Sequence, residues 1–423
     1  MTNPCQAVST DATAVAVLAC ELWPEHSLEE MRSEFTSLLA REDAASSCTE
    51  SREKWTLHSV SFAGMMWREE ACTEFSCNIP KEGVAYPMIK QIMERFPGIG
   101  CVWMNAAGKE SAAYFGAVDR KNSVAVNDNT VFPACSISKF VTALCVMKLQ
   151  AKKAIDIDQP VNDYLRQWKL LTHEGQESDA TIRALLCHTA GIQDGEEGFC
   201  GLRRSDPEIS LMAILEGRTA YNNRPVRAEK PQGTAFEYSD AGYCVLQLML
   251  QEVTRKAFED IAQELIFDPL CLENTFFATN EKIAHFENRM ATGYDDNGLP
   301  ITGRFPLNPD LAASGLWRTP KELLIIAKAF VKAFHGESPF LQKESAREMA
   351  RPVKDFPWTG LGVFTGGEDV LVSQGWGENG QCMVKMNIRT KKIAVVMTNR
   401  NPGIDQAESG VEWLADGKLN EKG

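Results

Sequence analysis

Ser136 and Lys139 stand three residues apart at the head of an apolar run formed by Ile137, Phe140, Val141, Leu144 and Cys145. That spacing predicts a helix with one buried face. Residues three apart share a helix face, so the hydroxyl and the ammonium would meet beside the unpaired N–H groups of the first turn. A serine next to a lysine that can take its proton is a nucleophile for acyl transfer. Burial at the helix start is expected to lower the Lys139 pKa and favour that transfer. A second Ser-x-x-Lys, Ser51 to Lys54, runs into an alternating stretch and heads no apolar helix.

The elements that would hold this pair follow from local pattern. Pro133 ends the extended segment Thr130-Val131-Phe132 and places Ser136 in the first helical turn. Upstream, 88–96 reads as a helix stopped by Pro97-Gly98, with strands at 100–104 and 112–118. Downstream, 182–187, 243–253 and 321–334 read as helices. The β-prone segments 360–365, 370–373, 381–387 and 392–398 follow, then a closing helix over 404–419. Strands at both ends and helices between predict an α+β fold. One antiparallel sheet would be built from N- and C-terminal segments, with a mostly helical subdomain within about 155–345.

Residues 1–83 differ from the rest and read as an extension of unknown role before the main domain over 84–423. They hold a capping box at Ser27-Leu28-Glu29-Glu30 and a β-prone stretch at 55–62. The 423 residues allow two domains or one large one. A net charge of −13 argues against nucleic acid and anionic membrane as partners. The 13 cysteines are scattered without CxxC, which predicts mostly buried, reduced thiols. The six histidines do not fall at metal-ligand spacing, so a metal is not expected; no organic cofactor is expected either. The run Ala14 to Cys20 lacks a basic residue before it, and no apolar run reaches 18 residues, so a cytoplasmic location is expected.

Further blocks give the Ser-Lys pair company. Tyr238-Ser239-Asp240 resembles a Tyr-x-Asn element, and Ser373-Gln374-Gly375 before Trp376 resembles a Lys-Thr-Gly or His-x-Gly strand element. With His188-Thr189-Ala190-Gly191-Ile192 and Gly315-Leu316-Trp317-Arg318-Thr319-Pro320 as landmarks, residues 84–400 resemble the serine β-lactamase-related family. That family includes class C β-lactamases, D-alanyl-D-alanine carboxypeptidases, D-aminopeptidases and esterases. The resemblance implies that Ser136 forms an acyl-enzyme, that Lys139 takes its proton, and that Tyr238 relays a proton to the leaving group. It also implies an oxyanion hole made by the backbone N–H groups of Ser136 and Trp376. Asp240, Ser373, Gln374 and Gly375 would line the substrate. His188 reads as a structural histidine bonded to a nearby loop.

Two positions depart from the family pattern. Ser373 stands where Lys or His is usual, and Asp240 where Asn is usual. A substrate carboxylate would lose a cation at Ser373 and meet repulsion from Asp240. An ester, amide or short peptide fits better than a β-lactam as the small-molecule substrate. Two alternatives stay open: an acyltransferase using the same acyl-enzyme, and a catalytically silent member that binds a ligand or partner.

Overall fold

Strands from the two ends of the chain meet in one sheet. The computed structural model describes residues 85–419 apart from 122, 123, 196, 197, 200, 201, 204 and 368. The capping box, the Ser51 motif and the rest of the extension lie outside these residues. Helix α1 (Ala85–Arg95) leads into β1 (Gly98–Met104), β2 (Glu110–Asp119) and β3 (Val124–Ala125). Between the ends lie the short strands β4 (Phe132–Pro133), β5 (Leu171–Thr172), β6 (Arg227–Ala228), β7 (Thr275–Phe277) and β8 (Leu316–Arg318), and near the C-terminus come β9 (Phe364–Thr365), β10 (Val370–Gly377), β11 (Gly380–Asn387) and β12 (Ile393–Thr398). The seven strands run in the order β3-β2-β1-β12-β11-β10-β9. The joint is the antiparallel pair of β1 and β12, with Cys101 opposite Val396. The predicted sheet of N- and C-terminal segments is therefore present.

The two sheet faces are covered differently. On one, Ile89, Ile92, Met93 and Phe96 of the first helical segment pack with Val411, Leu414 and Ala415 against Cys101, Met383 and Val396. The predicted closing helix is two pieces, Gln406–Ser409 and Val411–Leu419, broken at Gly410. Gly410 has φ +93°, and a Cβ there would come within 2.4 Å of Ile92, so glycine is required. The other face packs on the helix Pro320–Phe334, whose Phe330 meets Phe140 of the helix that carries Lys139.

That helix, α2 (Ser138–Ala151), is preceded by one 3-10 turn, Cys135–Ile137, which contains Ser136. Every residue from Ser138 to Met147 is buried. The expected single apolar face is thus a helix buried on all sides, which is why Thr142 and Cys145 face protein as fully as Leu144 does. The helical middle includes α3 (Ile182–Leu186), α4 (Leu211–Leu215), α5 (Asp240–Thr254), α6 (Phe258–Ala262) and α7 (Asn280–Phe286). It ends with α8 (Leu311–Ser314), α9 (Pro320–Phe334) and α10 (Lys343–Met349). No helix among the described residues is long and apolar enough to cross a membrane.

A small sheet clamps the approach to Ser136. Phe132–Pro133 pairs with Leu316–Arg318, which pairs with Thr275–Phe277. Ala134 N–H donates to Leu316 O at 2.8 Å. Ser138 Oγ donates to Cys135 O at 2.6 Å and accepts from Leu316 N–H at 3.0 Å. The Gly315 landmark thus buttresses the turn that holds Ser136, and Trp317 is a core residue at 1% exposure.

The segment 360–365, expected as a strand, is extended only at Phe364–Thr365. The rest is a tight strap. Gly362 has φ +71°, and its N–H donates to Leu186 O at 3.0 Å. A Cβ on Gly362 would sit 2.4 Å from Ala143 of α2. The need to dock closely on α2 overrides the β-propensity of Val363 and Phe364.

Candidate active site

Cys135 turns the chain out of the small sheet with φ +47°, a conformation rare for a side-chain-bearing residue. No side chain caps the turn that follows, so the Ser136 hydroxyl is not used as a cap. Lys139 Nζ donates to Ser136 Oγ at 3.1 Å. It also donates to Asp240 Oδ1 at 2.5 Å and to the carbonyl of Ala313 at 3.1 Å. Three acceptors therefore satisfy the three donors of the ammonium. The Lys139 side chain is 4% exposed and that of Asp240 21%.

These contacts reverse the expected protonation of Lys139. Burial pulls its pKa down, but the Asp240 charge, then Tyr238 and the hydrogen bond to Asp240 outweigh it and raise the pKa above the ordinary lysine value. The expectation of a depressed Lys139 took desolvation alone and lacked the carboxylate. Asp240 belongs to the same pair: its carboxylate faces Lys139, which supplies its counter-charge.

Tyr238 bridges the pair to the outside. Its ring lies 4.8 Å below Lys139 Nζ, and its hydroxyl interacts with both Lys139 and Ser136. One flank of the ring is open, giving 41% exposure, while the hydroxyl end is desolvated. Burial raises the Tyr238 pKa; Lys139 opposes that rise and Asp240 adds to it. The phenol therefore keeps its proton at neutral pH. His188 stacks on Tyr238 at 4.4 Å between ring centroids. Its Nδ1 accepts from Ser239 N–H at 3.1 Å, as expected of a structural histidine. Burial, then the Lys139 charge, hold its pKa well below 6.5, so the ring is neutral.

Asp194, which carries no local sequence signal, sets the start of α5. It accepts from Ser239 Oγ at 2.7 Å, from Asp240 N–H at 2.6 Å and from Ala241 N–H at 3.0 Å. A carboxylate on the first N–H groups of a helix is favoured by the helix dipole. Here it also fixes the backbone from which Asp240 reaches Lys139.

The β10 edge forms the opposite side. Gly375 is pressed against the turn before Ser136: a Cβ there would lie 2.3 Å from Ala134 O and 2.5 Å from Cys382 Sγ. Gly375 O accepts from Gln406 Nε2 at 2.7 Å. Carbonyl and N–H of one trans peptide point opposite ways, so Gln406 also orients the Trp376 N–H. The Trp376 side chain turns outward, 47% exposed, with Nε1 donating to Asn401 Oδ1 at 2.8 Å. A narrow cleft, open to solvent, is lined by Ser136, Lys139, His188, Tyr238, Ser373 and Gln374, together with Leu186, Thr359, Gly362, Val363 and Phe364. The sequence-derived Ser136, Lys139, Tyr238, Ser373 and Gln374 converge there. Thr359 and the strap residues were not foreseen.

Known proteins share this fold. A family model described as Beta-lactamase matches residues 87–417. An unguisins hydrolase of Aspergillus violaceofuscus is 26% identical over 206 residues, 48% of this chain and 35% of that protein. Protein flp of Staphylococcus aureus (strain MW2) is 24% identical over 213 residues, 50% of this chain and 39% of that protein. The match spans well under half of both curated relatives. Among solved structures, D-amino acid amidase from Ochrobactrum anthropi SV3 superposes with a TM-score of 0.64 at 21% identity, covering 78% of this chain and 95% of that one. The octameric penicillin-binding protein homologue from Pyrococcus abyssi gives 0.62 at 21%, covering 78% and 75%. By the family match over 87–417, the chain belongs to the Beta-lactamase family.

Proposed function

We propose that the protein is a serine hydrolase that cleaves an uncharged ester or amide through an acyl-Ser136 intermediate. The observation that carries this reading is the convergence of Ser136 Oγ, Lys139 Nζ and the Tyr238 hydroxyl at one end of an open cleft.

Ser136 Oγ bonds to the substrate carbonyl carbon, and the carbonyl oxygen gains the charge. The backbone N–H groups of Ser136 and Trp376 would receive that charge. Lys139 stays an ammonium, so it is not the proton acceptor. Tyr238 takes the proton of Ser136 and passes its own to the leaving oxygen or nitrogen, which departs as the neutral alcohol or amine. This relay needs no phenolate at rest, and the fixed charge of Lys139 stabilises anionic character on either oxygen. Water, deprotonated by the reverse relay, then releases the acid.

The preference for uncharged substrates rests on charge balance. Lys139 supplies the cation among the cleft-lining side chains, and Asp240 matches it at 2.5 Å. Ser373 supplies no cation for a carboxylate, so esters and amides fit better than penicillin-type acids.

The test is labelling by a fluorophosphonate and hydrolysis of a 4-nitrophenyl ester, each beside Ser136→Ala. Labelling and turnover are expected for the intact protein and not for the variant. Equal behaviour of the two proteins sinks the hydrolase reading. Rapid turnover of nitrocefin would overturn the preference for uncharged substrates.

A further inference from the structure

One side of the cleft continues outward as a run of aromatic rings. Phe364 is a cleft-lining residue, 6.3 Å from Tyr238 and 6.5 Å from His188, stacked on both. Phe236 meets Phe364 edge-on at 6.4 Å and Trp358 edge-on at 5.8 Å. Phe356 flanks the two, 5.6 Å from Trp358 and 6.5 Å from Phe236. Trp358 is 47% exposed and Tyr238 41%. Exposed rings joined in a continuous patch at the mouth of a cleft mark a ligand-contacting surface.

The rings stand on two fixed segments. The strap is cross-tied: Val353 N–H donates to Thr359 O at 3.0 Å, Thr365 N–H to Trp358 O at 3.0 Å, and Thr365 Oγ1 to Pro357 O at 2.6 Å. The segment bearing Phe236 is held by Glu237 N–H on His188 O at 2.8 Å. The charge beside it is neutralised, with Lys230 Nζ on Glu237 at 2.5 Å. Aromatic faces held in place lose little freedom when a ligand binds, so they add to selectivity at small entropic cost.

We propose that Phe236, Phe356, Trp358 and Phe364 form a specificity wall that selects uncharged esters or amides carrying an aromatic ring next to the scissile carbonyl. This rests on the acyl-serine reading above for the place where the carbonyl sits. The ring of the substrate packs on the wall while the carbonyl reaches Ser136. Ring-on-ring contact then favours an aryl over an aliphatic group of similar length by roughly tenfold.

The experiment compares methyl phenylacetate, benzyl acetate, methyl butyrate and monomethyl glutarate on the full chain. kcat/KM is measured in the intact protein, and dissociation constants by calorimetry in Ser136→Ala. Phenylacetate is expected to exceed butyrate at least tenfold in both measurements, with glutarate the poorest. Benzyl acetate reports whether the ring belongs to the acyl or the alcohol side. Trp358→Ala and Phe236→Ala should collapse the aryl-to-butyrate ratio, whereas Trp358→Phe, which keeps a ring, should restore most of it. An aryl-to-butyrate ratio near one in the intact protein, or an unchanged ratio in Trp358→Ala and Phe236→Ala, overturns the wall. If Ser136→Ala binds aryl esters selectively but the intact protein turns none over, the wall stands and the hydrolase reading falls.

Discussion

Lys139 Nζ lies 2.5 Å from Asp240 Oδ1 and 3.1 Å from Ser136 Oγ, so the cation beside Ser136 carries its own counter-ion. This pairing decides what Lys139 does. Without Asp240, burial would dominate and the amine would lose its proton more easily. With it, the ammonium persists through the neutral range.

Asp240→Asn is therefore expected to lower the Lys139 pKa. The check is the pH dependence of fluorophosphonate labelling at Ser136. The intact protein should show no limb from Lys139 near neutrality, because its pKa is raised. The variant should gain a rising limb at lower pH, as the neutral amine becomes able to take the serine proton. Superimposable profiles would reject the assignment. Lys139→Met should abolish labelling and cost stability by isolating Asp240. Its cost should fall at or below the low end of the ~3–5 kcal/mol typical of buried pairs, since Asp240 is 21% exposed. Denaturant unfolding of Lys139→Met beside the double variant with Asp240→Asn measures how much of that loss is recovered.

Much of the frame was legible because it is local. The spacing of Ile137, Phe140, Val141, Leu144 and Cys145 marks a helix whatever surrounds it. The alternating segments at both ends similarly mark strands that need partners. The resemblance brought Tyr238 and Gly375 to Ser136. The Lys139–Asp240 bond joins residues 101 apart in sequence, and whether a carboxylate there faces a substrate or a lysine depends on side-chain direction, which no pattern encodes. Asp194, Gln406 and the aromatic strap were illegible for a related reason. Asp194 and most of the strap act through irregular backbone, where period carries no information, and the reach of the Gln406 side chain to Gly375 O is set by tertiary packing. The strand expected at 360–365 failed because Gly362 must approach Ala143, a tertiary demand that overrides propensity.

His188 is expected to stay neutral between pH 6.5 and 8. Burial and the Lys139 charge both oppose its protonation, so its imidazole signals in an NMR titration should not move over that range. His188→Ala removes the acceptor for Ser239 N–H and the ring stacked on Tyr238. A buried N–H left unpaired costs about 1–3 kcal/mol, and activity should fall through a misplaced Tyr238. A histidine signal from this ring titrating near pH 6.5 would contradict the buried, neutral assignment.

Asp310 ties stability to pH. Burial, then the charge of Asp240, push its pKa up to about 8, against the hydrogen bond from Tyr221 and the charge of Lys139. The folded protein therefore binds a proton there that the unfolded chain releases near pH 4. Stability from this group is fully present below that pH and is lost as pH rises through about 8. Asp310→Asn keeps the shape and a neutral side chain. Its Tm relative to the intact protein should rise progressively between pH 4 and 8, as read by thermal melts across that range. A constant difference would refute it.

The Gly375–Trp376 peptide, proposed above as an oxyanion donor, gives the last test, because its side chain and its backbone make opposite predictions. Gly375→Ala places a Cβ 2.3 Å from Ala134 O, which must push β10 away from the turn holding Ser136. Losing one oxyanion donor typically lowers kcat by about 10²–10³, and this variant should reach that range while still folding around the same sheet. Gln406→Leu leaves Gly375 in place but removes the donor 2.7 Å from its carbonyl. The peptide then keeps its position and loses its orientation, so kcat should fall about tenfold with little change in KM. Trp376→Ala removes an outward side chain bonded to Asn401 and leaves the N–H, so its kcat should stay within about threefold of the parent. A Trp376→Ala loss as large as that of Gly375→Ala would show that the indole, and not the peptide, is what the reaction uses.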